Sequence, residues 1–79
     1  MKFFGYPVNE DLSQPLALSE VSFLGSEESL REIAKFLVQC ADEIAATSTI
    51  QGADLHFHLQ EYSKSNEVEG DIVVVPLPK

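Results

Sequence analysis

Two histidines separated by one residue, His56 and His58, are the most chemically suggestive feature of the chain. On a strand such a pair projects from one face, about 6.5–7 Å apart along the chain. That spacing suits two ligands of one Zn²⁺ or a related ion. Asp54 and Gln60 share the stripe, and Asp54 would be the third ligand. A closed zinc site needs four ligands. The competing reading of the same stripe is a polar surface turned to solvent or to a partner. No metal ligand set and no cofactor is assigned from the sequence. Asp54, His56, His58, Gln60 and Glu61 are read instead as a partner-binding edge.

Cys40 is the second candidate. A nucleophilic thiol needs an adjacent base and an electropositive, accessible setting. Cys40 falls beside Leu37, Ala41 and Ile44 on the apolar side of a helix, which reads as a small core residue. The carboxylates Glu10, Asp11, Glu67, Glu69 and Asp71 lie in or beside loops and read as a solvated surface. Acid–base catalysis would require one of them to be held in an apolar pocket.

These residues must be positioned by few elements, because the chain has 79 residues and is read as a single domain over 1–79. Residues 2–6 read as a short strand. Residues 8–15 read as a loop between prolines. Residues 16–24 alternate in part, and their second half reads best as a strand. Ser26 is placed to cap a helix over 27–47, with Glu27 and Glu28 at its positive end. Leu30, Ile33, Ala34, Leu37, Ala41 and Ile44 recur at helical spacing, with Phe36 and Cys40 widening the stripe. Leu37→Asp is therefore expected to bury an unpaired charge and to destabilise the fold severely. Residues 53–61 alternate strictly and give the clearest strand. Residues 71–75 are β-branched and close the fold. The order implies an α+β fold, β-β-α-β-β, with a four-stranded mixed sheet and one amphipathic helix packed on one face. The other sheet face would be left for a partner or a second copy.

Charge narrows the function. Thirteen acids face five bases, a formal charge of −8. Phosphate recognition needs a basic face, so nucleic acid and anionic membrane are excluded as partners. Eight of the acids and three of the bases lie outside the predicted helix, so the strands and loops carry the excess. No apolar run approaches the length of a membrane span or of a secretory signal, and a cytoplasmic location is expected.

The residues fall in a familiar order: Met1-Lys2-Phe3-Phe4-Gly5-Tyr6-Pro7, then Leu30-Arg31-Glu32-Ile33-Ala34-Lys35-Phe36-Leu37, Cys40-Ala41-Asp42-Glu43-Ile44, His56-Phe57-His58-Leu59-Gln60 and Asp71-Ile72-Val73-Val74-Val75. Together they resemble the immunity proteins of bacterial polymorphic toxin systems, in particular the small family catalogued as immunity protein thirty-two. The aromatic residue, often Trp, expected near the start of the last strand is replaced here by Glu67-Val68-Glu69-Gly70. The resemblance implies a cytoplasmic, non-enzymatic antidote that binds and neutralises a cognate toxin domain, with a basic toxin suggested by the charge. The alternatives are a His-X-His metal-binding protein or small metal-dependent enzyme, and a structural homodimer closed through the open sheet face.

Overall fold

A computed structural model describes residues 1–51, 55–63 and 67–79. The chain begins with β1 (Phe3–Gly5) and β2 (Leu16–Leu18), an antiparallel pair with Phe3 opposite Leu18 and Gly5 opposite Leu16. The helix α1 (Glu27–Ala46) follows. Then come β3 (Phe57–His58), a single turn of helix α2 (Leu59–Tyr62), and β4 (Val73–Val74), which pairs antiparallel with β3.

The four-stranded mixed sheet is not formed. Two separate two-stranded sheets stand in its place, one before α1 and one after it. The decisive difference lies in residues 19–25, which carry no strand. The strand expected to lead into the helix is therefore missing, and no crossover joins the two sheets. Each strand instead finds its partner on its own side of the helix. Antiparallel pairs need only a short connection, whereas a parallel pair needs a crossover of a dozen residues or more. The four-stranded sheet whose open face would have received a partner or a second copy is therefore not the surface this chain presents.

The helix begins where its capping chemistry places it. Ser26 Oγ accepts from the Ser29 amide at 3.2 Å, and the Leu30 amide donates to Ser26 O at 3.0 Å. The Ser29 side chain is buried and donates back to Ser26 O at 2.9 Å. A Cβ at Gly25 would lie 2.5 Å from Ser29 Oγ, so any side chain here would push the Ser29 hydroxyl from its place. The last turn of α1 contains no basic residue. Lys79 supplies one from the other end of the chain. Its ammonium donates to Ile44 O at 2.6 Å, which also accepts from the Thr47 amide, and to Thr47 O at 3.1 Å, and so places a cation at the negative end of the dipole.

The core is small and one-sided. Ile33, Phe36 and Cys40 of α1 pack with Phe57 and Leu59, and Ile44, Leu55, Tyr62, Val68, Ile72 and Val74 close around them. The Phe36 and Tyr62 rings meet at 5.5 Å and 57°. The side of α1 turned inward differs from the expected one. Ser29, Ile33, Phe36, Cys40 and Ile44 fall within about 80° of arc on the helix. The next arc of about 100° carries Leu37, Leu30, Ala41, Ala34, Ala45 and Val38, and all six are exposed. Leu37 is 42% exposed, so an aspartate there meets water rather than core. The N-terminal pair is also open, with Phe3, Phe4, Leu16 and Leu18 all exposed. No helix among the described residues is long and apolar enough to cross a membrane.

Candidate functional site

The histidine segment combines alternation with a turn. Leu55, Phe57 and Leu59 point to the core, and Leu59 is only 1% exposed. His56 is exposed and His58 half-buried on the opposite side. The alternating pattern therefore places the side chains on the expected sides for residues 55–59. The strand itself stops at His58, where α2 begins. Leu, Gln and Glu have good helix propensity, and periodicity alone did not weigh it. Gln60 and Glu61 consequently sit on a helical turn and not on a strand. Asp54 lies outside the described residues.

The organiser of this segment is Asp71, which as a sequence looked like one more loop acid. His58 provides no side-chain cap to α2. Asp71 does so from across the loop, with Oδ1 accepting from the Gln60 amide at 3.0 Å. Its other oxygen lies 2.6 Å from His58 Nδ1. The Leu59 amide donates to Ile72 O at 2.8 Å and extends the β3–β4 pairing by one bond. The Gln60 side-chain amide donates to Gly70 O and, at 3.4 Å, to Val68 O. Gly70 has φ +85°, the left-handed region that lets the chain turn sharply into Asp71. The dipeptide Gly70-Asp71 ahead of a β-branched run was the signal in the sequence that marked this turn.

Partial burial pushes the Asp71 carboxyl upward. The His58 hydrogen bond, the Gln60 amide, the His58 charge and the Ile72 amide outweigh that effect and hold it below its ordinary value. An ionised carboxylate only accepts hydrogen bonds, so the proton between the two side chains resides on His58 Nδ1. His56 stands next to this pair, its ring 5.0 Å from that of His58 and nearly perpendicular at 73°.

Cys40 is buried in the core, 2% exposed. Burial, followed by the charge on Glu43, pushes its thiol up, against a smaller opposing hydrogen bond to its own backbone. A thiol kept neutral in this way is not an activated nucleophile. Glu43 also accepts from the Tyr62 hydroxyl at 3.1 Å, and Glu32 accepts from Ser63. Both contacts pin α2 to α1. Among the described residues, no group of three or more His, Cys, Asp or Glu is arranged around a common ion position.

No protein-family model matches the chain, and neither a curated protein nor a solved structure does so.

Proposed function

We propose that this chain is a non-enzymatic binding domain, an immunity-type antidote that engages a basic toxin domain in the cytoplasm and blocks it. The observation that carries the reading is the exposed surface. The chain exposes 6667 Å². A folded monomer of 8.7 kDa is expected to expose about 4,700 Å². The excess of about 2,000 Å² is larger than the roughly 800 Å² each partner buries in a standard interface. Part of it is apolar, in the outer arc of α1 and in the N-terminal strand pair. Unpartnered apolar surface of this kind marks a protein contact. The charge of −8 selects the partner, because a basic surface is steered toward it and a second acidic copy is repelled. The resemblance of the motif order to the immunity proteins is the reason for reading that partner as a toxin.

Within the polar edge at His56, His58, Gln60 and Glu61, His58 and Gln60 hold the 67–72 loop in place. Beside that edge, the exposed apolar α1 arc of Leu30, Ala34, Leu37, Val38 and Ala41 supplies the contact area of this reading. The test is to look for a toxin domain encoded beside this gene and, where one is found, to co-express it with this chain. Growth is expected to be restored by the wild-type chain and lost again with Ala34→Lys, which places a bulky cation in the arc. The purified complex is expected to weaken as salt rises. Failure of the wild-type chain to rescue growth overturns the antidote reading.

A further inference from the structure

We infer that His56 and His58 form a chelate for a borderline divalent ion such as Cu²⁺ or Zn²⁺, with Asp71 as the positioning residue of His58. The inference is independent of the toxin reading and rests on the geometry of three side chains.

The first element is separation. With metal–nitrogen bonds of about 2.0–2.1 Å and a ring centre about 1.2 Å behind each nitrogen, two imidazoles sharing one ion at a tetrahedral angle have centres about 5 Å apart. The rings of His56 and His58 are 5.0 Å apart. The rings meet edge to face at 73°; with His58 held by Asp71, the turn that brings a nitrogen of His56 toward His58 Nε2 is made about χ2 of His56, a broad torsion for histidine. The backbone between them is held by β3 pairing, with His58 opposite Val73.

The second element is the tautomer. Asp71 accepts the hydrogen bond of His58 Nδ1–H at 2.6 Å. The lone pair is thereby left on Nε2, and the ring is fixed in orientation. A carboxylate behind a ligating imidazole is the recurrent outer partner of metal-bound histidine, raising its basicity and limiting its rotation. The third element is access. The His58 side chain is 31% exposed and His56 is exposed, so a hydrated ion reaches both. The acidic chain raises the local concentration of cations. Among the described residues these two histidines are the protein ligands, and water fills further positions.

The full chain, freed of metal by dialysis against chelator, is titrated with ZnSO₄ and with CuSO₄ by calorimetry. One ion per chain is expected, with Cu²⁺ binding tighter than Zn²⁺. On Zn²⁺ addition the side-chain ¹⁵N resonances of both histidines are expected to shift, that of His58 at Nε2. His56→Ala leaves the His58–Asp71 bond in place and is expected to abolish saturable binding while the circular dichroism spectrum is retained. Asp71→Asn is expected to weaken binding about 10–100-fold and to change the His58 tautomer in the ¹⁵N spectrum, which a purely structural role would not do. Absence of saturable binding, or binding that persists in His56→Ala, overturns the proposal.

Discussion

His58 and Asp71 are joined at 2.6 Å although they are thirteen residues apart in the chain, and the same carboxylate caps the helical turn that starts immediately after His58. One side chain thus fixes the end of a strand, the start of a helix and the return of the final strand. Asp71→Ala removes both bonds and leaves the Gln60 amide without its acceptor. The expected loss is about 1–2 kcal/mol, reduced from the buried-bond value because the pair is partly solvated. A urea midpoint shifted downward with unchanged slope checks it, and an unchanged midpoint would refute the organising role.

Gly70 shows that open space is not the same as tolerance. Nothing lies within 4 Å of where its Cβ would be, yet its φ of +85° is costly for any other residue. Gly70→Ala is expected to cost about 1–2 kcal/mol from backbone strain alone. Thermal unfolding of the variant measures it, and a neutral result would mean that this turn relaxes freely.

The two sides of α1 make opposite predictions for adjacent residues. Phe36 is 3% exposed and central to the core, so Phe36→Ala is expected to cost about 3–5 kcal/mol, enough to unfold most of a domain this small. Leu37→Asp is expected to change stability by less than about 1 kcal/mol. Chemical denaturation of the two variants side by side decides which face of the helix is buried.

Tyr62 gives the fold an alkaline limit. Partial burial, then its hydrogen bond to Glu43 and the charges of Glu43, Cys40 and Glu61, push its hydroxyl above the ordinary value. The neutral hydroxyl is the form the folded chain prefers. Its contribution to stability is complete below the unfolded value of about 10 and is lost as pH rises through the higher folded value. Titration at 295 nm, as the difference between wild type and Tyr62→Phe, is expected to show a transition above pH 10. A Tyr62→Phe variant with unaltered alkaline unfolding would remove Tyr62 from this role.

The parts legible in the sequence were those fixed by neighbours along the chain. The start of α1 follows from Ser26 and the two glutamates after it, and its length from an unbroken apolar period. The inward direction of Leu55, Phe57 and Leu59 follows from alternation, because successive side chains of an extended segment must point to opposite sides. The candidate histidines were visible for the same reason. Their orienting carboxylate was not, since nothing local links residue 58 to residue 71.

The sequence by itself determined one long capped helix, an acidic surface and a histidine pair on the outward side of a short extended segment. Each follows from composition or from contacts within a few residues. Only the tertiary structure decided which half of the broad apolar arc of α1 is buried, since a single sparse layer of partners can cover only one half. It alone split the strands into two sheets, because residues 19–25 form no strand and each remaining strand pairs on its own side of the helix. It alone joined Asp71 to His58 and Lys79 to the end of α1, because such pairings exist only once distant segments have been brought together by the core.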